Sequence, residues 1–101
     1  MITKKLKYEL MVVLPGELLN SEISIWGYYY SGYLVDKFNV SKISITSVGR
    51  RNLAYEINNK KIGHFLQINF SSRPEDVKDV IRSLNLDVSV LRYLLTQKVT
   101  N

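Results

Sequence analysis

The side chains of this chain that could take part in chemistry are few and scattered. Cysteine is absent, which excludes thiol nucleophiles, disulfides and thiolate metal sites. His64 is the single histidine, and without acidic residues at ligand spacing it does not predict a metal site. Asp76 and Asp79 resemble a catalytic carboxylate pair, but they fall in the first turn of a predicted helix, where the helix dipole favours negative charge. Since no nucleophile–base arrangement or glycine-rich phosphate loop accompanies them, the sequence predicts no enzyme, no metal and no cofactor.

The basic side chains offer a different chemistry, which is the neutralisation of phosphate. Fourteen Lys and Arg against nine Asp and Glu give a net charge of +5, which favours an anionic partner such as nucleic acid. Adjacent Arg50 and Arg51 are the strongest candidates, because a guanidinium donates two parallel hydrogen bonds to one phosphate. Arg92 interrupts an apolar strand face, and since burying an unpaired arginine is costly, it is expected on an open surface. The predicted RNA-binding residues are Lys4, Lys5, Lys7, Arg50, Arg51 and Arg92. The alternative is that these are solvated charges, with the arginines protecting an edge strand from aggregation.

Three strand tyrosines are candidates for binding a protein partner. Tyr8, Tyr55 and Tyr93 each lie in a predicted strand, where a tyrosine can be an interface hot spot or a stacking platform for a base. The alternative is a half-buried sheet aromatic whose hydroxyl reaches water. The tyrosines of the first predicted helix are interpreted as core and its rim.

Hydrophobic periodicity predicts six elements. Alternation from Leu6 to Leu14 predicts a strand with apolar residues on both sides, and therefore an interior strand. A helix is predicted from Asn20 or Ser21 to Phe38, because about 18 residues without a turn signal are too long for a strand. A long strand Val40–Ile57 with an irregularity at Gly49, a turn over 58–61 and a strand Ile62–Phe70 are predicted next. A helix through Val77 and Leu84 follows, with Ser72 and Glu75 as its capping box. The last predicted element is a strand Val88–Gln97.

The order β-α-β-β-α-β predicts an α+β, ferredoxin-like fold. In that fold a four-stranded antiparallel sheet carries two helices on one face and leaves the other face open. The chain is predicted to be a single domain over residues 1–101, with a frayed tail over 96–101. No apolar run is long enough to cross a membrane.

One segment carries a resemblance to a known family. The run Gly49–Asn58 resembles the signature of the sixth protein of the bacterial small ribosomal subunit: glycine, any residue, basic, polar, Leu-Ala-Tyr, any, Ile, polar. Tyr8–Leu14 is similar to the opening Tyr-Glu strand of that family, and Val90–Tyr93 to its closing strand. The chain departs from the family at Glu56, where many members have proline, and in the number of tyrosines in its first helix.

The resemblance implies a structural role in the ribosome. Members of the family pair with the eighteenth protein of the small subunit, and the pair binds a multi-helix junction of 16S-type ribosomal RNA during assembly. The implied partners are therefore this RNA and this protein, without DNA or a membrane. The high share of Asn, Lys, Ile and Tyr indicates AT-rich coding, which favours a plastid ribosome over one in a bacterial cytoplasm.

Other functions of the same fold stay open at this point. One alternative is a ferredoxin-like regulatory or small-molecule-binding module that dimerises through its sheet. The RNA recognition motif has the same order of elements, but in Ile62–Phe70 the aromatic Phe65 alternates with Gln67 and Asn69, so the base-stacking ladder is absent. Recognition through RNA shape and backbone is therefore expected.

Overall fold

A computed structural model describes residues 4–98, which form four strands and two helices in the predicted order. No helix in this part of the chain is long and apolar enough to cross a membrane. The elements are β1 (Leu6–Pro15), α1 (Asn20–Phe38), β2 (Ser41–Ile57), β3 (Lys60–Ser72), α2 (Pro74–Leu86) and β4 (Arg92–Gln97).

The four strands form one antiparallel sheet in the order β2-β3-β1-β4. β1 therefore lies inside the sheet, as its apolar residues on both sides predict. It pairs with β3 from Leu6 opposite Ser72 to Pro15 opposite Gly63, and with β4 up to Val13 opposite Arg92. The ferredoxin-like prediction is confirmed.

The hydrophobic core lies on one face of the sheet, beneath both helices. Alternate β1 residues from Tyr8 to Leu14 are buried there, and α1 and α2 contribute buried Leu34 and Leu84. Because successive strand residues point to opposite faces, the intervening β1 residues face away from the helices. We call that second face the open face.

The N-cap residues of both helices differ from the predicted ones. Leu19 precedes α1, and the Glu22 carboxylate accepts a hydrogen bond from its backbone N–H at 2.8 Å. Arg73 occupies the N-cap position of α2, so the predicted capping box at Ser72 is wrong. Ser72 is fully buried at the end of β3, and its hydroxyl donates to the Arg73 carbonyl instead of accepting from the helix N–H groups. Of Asp76 and Asp79, both predicted for the first turn of α2, only Asp76 lies there, together with Glu75, and Asp79 lies in the second turn. Arg73 Nε donates to the Asp76 carboxylate at 2.8 Å.

The last strand starts later than the sequence predicts. Asp87 closes a turn in which its carboxylate accepts from the Ser89 N–H at 2.8 Å, and its carbonyl accepts from the Val90 N–H at 3.2 Å. The predicted strand residues 88–91 are therefore outside β4. At the other end, Thr96 and Gln97 are paired in β4 and Lys98 N–H donates to the Lys7 carbonyl, so 96–98 are not frayed. The rest of the predicted tail, 99–101, lies outside the described residues.

The β2–β3 hairpin extends beyond the four-stranded part of the sheet. β1 reaches only as far as Gly63 on β3, whereas β2 and β3 continue to the turn at Asn58 and Asn59. Both turn residues have positive φ, 50° and 65°, which is the backbone of a two-residue hairpin turn. The hairpin tip therefore projects beyond the sheet. Its pairing is irregular, because the four β2 residues 53–56 lie between the pairs Asn52–Ile62 and Ile57–Lys60, where β3 has only Lys61. This part of the hairpin can overhang the open face.

Candidate nucleic-acid and partner interface

The open face is polar at one end of β1 and apolar at the other. Cross-strand partners share a face, so Glu9 is flanked there by Asn69 and Thr96. Towards the hairpin, the open face carries the apolar residues Met11, Val13, Phe65 and Leu94, with Gln67 opposite Met11 and Arg92 opposite Val13. Only one end of this face therefore offers an apolar surface.

The apolar end forms a pocket of about 380 Å³, which we call the sheet pocket. Its floor is the apolar end of the sheet, and its wall is the projecting hairpin, with Leu53, Tyr55 and Ile57. Arg92 stands at its rim, with its guanidinium carbon 5.9 Å from the centre of the Tyr55 ring, within the range of a cation–π contact. Tyr55 and Leu94 are 64% and 65% exposed, so the pocket is accessible to a partner.

A β-bulge in β2 directly precedes Arg50 and Arg51. The pairing of β2 with β3 shifts between Ser47 and Gly49, and Gly49 has φ 104°, which strongly favours glycine. The predicted irregularity at Gly49 is therefore present. Beyond the bulge Arg50 is paired with His64 and Arg51 with Gly63, so the two side chains leave on opposite faces.

The two adjacent arginines have different surroundings. Arg50 lies on the helix side, and its Nη2 donates to the Leu18 carbonyl at 2.9 Å. Arg51 is exposed on the side of the open face. Among residues 4–98 neither of them forms an ion pair with a carboxylate, and the same holds for Arg92. None of the three is therefore neutralised by a carboxylate of the chain, and all can meet an external anion. Arg50 already donates one hydrogen bond to a backbone carbonyl, whereas Arg51 and Arg92 do not.

The fold brings the three arginines to one end of the sheet. Arg92 on β4 is paired directly with Val13 of β1. Arg50 and Arg51 on β2 are paired with the β3 residues that lie opposite β1 residues 14 and 15. Arg51 and Arg92 lie on opposite edges, three strand spacings apart, or roughly 14 Å. That separation spans the sheet pocket.

The N-terminal lysines lie at the other end of the sheet. Lys7 is exposed on the open face opposite Ser71, roughly 23 Å along β1 from the arginine end. Lys5 Nζ donates to the Asn39 carbonyl at 2.8 Å and to Ser41 Oγ at 3.2 Å, which ties the strand to the loop after α1. Lys4 is exposed. The six predicted RNA-binding residues therefore form two groups.

Of the three candidate partner-binding tyrosines, only Tyr55 lies at the sheet pocket with its ring exposed. Tyr8 is 7% exposed and its ring stacks on Phe70 in the core, with centroids 5.8 Å apart. Tyr93 lies on the helix side, where its hydroxyl donates to Asn85 Oδ1 at 2.8 Å.

The residues that sequence reasoning missed are the apolar ones of the sheet pocket, above all Leu53 and Leu94. The alternation of β4 contained this signal, since it puts Leu94 on the same face as Arg92.

His64 has a structural place on the helix side of β3. It is 4% exposed, and its Nε2 lies 3.0 Å from Ser47 Oγ. Burial lowers the pKa of His64 below its ordinary value of 6.5, and the positive charge of Arg50 lowers it further. No cluster of metal-ligating side chains occurs within 4–98. Because its pKa is lowered, buried His64 is neutral at pH 7 and packs as part of the fold.

The lowered pKa of His64 predicts a loss of stability in acid. Because the unfolded chain binds the proton more readily than the folded one, the free energy of unfolding falls as the pH drops below about 6.5. One such group contributes a slope of at most about 1.4 kcal/mol per pH unit. Urea unfolding between neutral pH and pH ~5 measures the slope, and His64→Gln is expected to reduce it. An unchanged slope in the variant would show that other groups cause the acid sensitivity.

Known proteins similar to this chain cover nearly its whole length. The sequence profile described as ribosomal protein S6 matches residues 7–97. The chain is 45% identical over 92 residues to small ribosomal subunit protein bS6c of Trieres chinensis, covering 91% of this chain and 95% of the relative. It is 41% identical over 92 residues to bS6c of Phaeodactylum tricornutum, covering 91% and 93%. The crystal structure of 30S ribosomal protein S6 from Thermotoga maritima has the same fold, with a TM-score of 0.84 at 18% identity over 94% of this chain and 89% of that chain. As the run Gly49–Asn58 predicts, the chain belongs to the ribosomal protein S6 family.

Proposed function

We propose that this chain binds 16S-type ribosomal RNA jointly with the eighteenth protein of the small subunit, through its open face. As a member of the S6 family it is a structural, non-enzymatic protein of the small ribosomal subunit. The observation that carries the proposal is the sheet pocket, an accessible apolar surface between Arg51 and Arg92. It combines an exposed apolar surface, which a protein partner requires, with neighbouring cations, which an RNA partner requires.

The protein partner is proposed to bind in the sheet pocket. Leu94 and Tyr55 expose apolar area there, and clustered exposed apolar residues bordered by polar ones are typical of protein interfaces. Tyr55 is the partner contact that the proposal keeps from the three tyrosines. Tyr8 and Tyr93 support the sheet from its helix side.

The RNA is proposed to contact the cations around this partner. Arg51, Arg92 and Lys7 are exposed on the open side, and Lys4 lies at the start of β1. Arg50 and Lys5 can contribute only through donors that their bonds to the chain leave over. The open face offers Gln67 and Asn69 beside Phe65 and no row of aromatics among the described residues, which favours phosphate contacts over base stacking.

RNA binding by the chain, by the partner and by their mixture tests the proposal. We expect weak binding by the chain alone and tight, salt-sensitive binding by the mixture, because the partner completes the RNA-binding surface. Fluorescence anisotropy with a labelled RNA junction, over a series of salt concentrations, measures both. Equal binding with and without the partner would contradict the proposal. A stable homodimer that occludes the pocket would favour the sheet-dimer alternative, and analytical ultracentrifugation detects it.

Removing Arg51 and Arg92 together is expected to weaken RNA binding by the complex about tenfold for each lost phosphate contact. The slope of log affinity against log salt should also become shallower by about 0.9 per contact. Lys78→Ala, which removes a cation from α2 on the opposite side of the molecule, is the control and should leave the slope unchanged. A slope that does not change in the double variant would remove both arginines from the RNA interface.

The plastid is the proposed location of this ribosome. Two relatives with more than 40% identity over about nine-tenths of the chain are plastid-type bS6c proteins. Immunoblotting of purified plastids from the source organism tests this. Recovery of the chain only with non-plastid ribosomes would contradict it.

A further inference from the structure

The helix side of the molecule carries an aromatic cleft of about 400 Å³ between α1 and the end of α2. The Trp26 and Tyr30 rings stack with centroids 4.8 Å apart and planes at 14°, and Tyr33 continues the row at 6.3 Å from Tyr30. The outer part of the cleft is Tyr29 and Leu86, which are 73% and 76% exposed. As predicted, Tyr30 is buried in the hydrophobic core and Tyr33 lies at the rim of that core. The same prediction covers Tyr28 and Tyr29, but both are exposed on the surface. The full lining is Trp26, Tyr29, Tyr30, Tyr33, Ser83, Leu86 and Asp87.

Asp87 is the one charged residue in this lining. Its Oδ2 accepts from Trp26 Nε1 at 3.0 Å and its Oδ1 accepts from the Ser89 N–H at 2.8 Å, so the carboxylate is held in a fixed orientation. A carboxylate has roughly four acceptor sites, and these two bonds use half of them. The aromatic cleft therefore presents a fixed negative charge, with acceptor sites left over, beside apolar rings.

The charge in the aromatic cleft is negative although the whole chain has a net charge of +5, because Asp87 is its one charged lining residue. Three of the five carboxylates of α1 and α2 are in ion pairs with Arg73 or Arg82, so Asp87 supplies the negative charge here. An RNA phosphate is repelled here, whereas a cation is attracted. Tyr30 adds no negative charge of its own, because burial raises its pKa to about 12, and the neighbouring charge of Asp87 adds to the rise.

We propose that the aromatic cleft binds an arginine side chain from a basic segment of another protein. A guanidinium is planar and stacks on aromatic rings, and its fork can donate to the Asp87 carboxylate at the same time. Its apolar stem can lie against Tyr29 and Leu86. Lysine offers a point charge without the planar fork and fits less well. This second protein-binding surface lies on the face opposite the sheet pocket and does not depend on RNA binding.

Trp26 provides the measurement, because it is the only tryptophan of the chain. The full chain is titrated with a capped peptide of alternating arginine and serine while its intrinsic fluorescence is recorded. The matched control peptide carries citrulline for arginine, which keeps the shape and removes the charge. We expect a saturable change with the arginine peptide and at least about tenfold weaker binding of the citrulline peptide. Equal responses to both peptides would overturn the proposal.

Two adjacent tyrosines give a matched pair of variants. Tyr28 and Tyr29 are both exposed on α1, at 80% and 73%, but only Tyr29 lines the aromatic cleft. Tyr29→Leu is expected to weaken arginine-peptide binding about fivefold, and Tyr28→Leu to leave it unchanged. Equal effects of the two substitutions would overturn the assignment.

The charge is tested in the same way. Asp87→Asn is expected to weaken the arginine peptide about tenfold, whereas Asp36→Asn, which removes the same charge outside the cleft, is expected to have little effect. Thermal unfolding shows whether both variants are folded. If Asp87→Asn is unfolded, the comparison of Tyr29→Leu with Tyr28→Leu tests the proposal in its place. A single-stranded RNA oligonucleotide that saturates the Trp26 signal more tightly than the arginine peptide would also overturn the proposal.

Discussion

Replacing Leu94 by lysine is expected to weaken binding of the protein partner about 100-fold without unfolding the chain. Leu94 is 65% exposed on β4, so the change costs the free chain little, within about 0.5 kcal/mol. Leu94 lines the sheet pocket, where the partner is proposed to bind, and the one charged lining residue of that pocket is the cation Arg92. An ammonium buried there has no carboxylate in the pocket lining to pair with, and about 3 kcal/mol of lost binding corresponds to about 100-fold.

The same variant separates partner binding from RNA binding. Lysine adds a positive charge, so the chain's own weak RNA affinity is expected to stay the same or rise slightly, while the joint affinity with the partner falls. Isothermal titration calorimetry measures the first binding step and fluorescence anisotropy the second. Val88→Lys, at a residue that is 97% exposed and outside the sheet pocket, is the control. Partner affinity that is equal in the two variants would place the partner elsewhere on the molecule.

The elements of this fold could be predicted well because their apolar periods are regular. The alternation in β1 identified both the strand and its interior position, and the spacing in α2 identified that helix. The ends were less predictable. Asp87 ends α2 and turns the chain through its own carboxylate, a local bond that competes with strand pairing, so β4 begins at Arg92.

The site depends on which face the helices cover, and periodicity does not determine this for β1. Tyr8 and Val13 lie on opposite faces and both are apolar, so the alternation alone offered no reason to assign Tyr8 to the core. The contact between Arg92 and Tyr55 joins β4 to β2 across the two intervening strands, β1 and β3. It requires the sheet order and the overhang of the hairpin, and neither is a local property of the residues.

The two proposed binding surfaces carry charges of opposite sign. Arg92 is the one charged residue that lines the sheet pocket, and Asp87 is the one that lines the aromatic cleft. The two proposals therefore place an anion beside the first surface and a basic protein segment at the second. This separation predicts that raised salt weakens both interactions, and that removing Arg51 or Arg92 affects only the first.

Replacing Gly16 by alanine is expected to destabilise the fold by about 3 kcal/mol. A Cβ at this position would lie 2.6 Å from Ile62 Cγ2 and 2.8 Å from the Ile62 carbonyl oxygen, which is backbone and cannot move aside alone. The Gly16 N–H also donates to that carbonyl at 3.0 Å and holds the hairpin against the end of β1. Relief of the clash moves the hairpin, which is the wall of the sheet pocket, so partner affinity should fall with stability.

Gly32→Ala is the matched control with the opposite expected sign. Gly32 lies exposed in α1 with nothing within 4 Å of an added Cβ, and alanine there should stabilise the helix by about 1 kcal/mol. Urea unfolding gives both free energies, and binding to the partner is measured at a temperature where both variants are folded. If Gly16→Ala is as stable as the parent chain, the hairpin is held by contacts other than the one at Ile62. If its stability falls but its partner affinity does not, the hairpin is not part of the partner's binding surface.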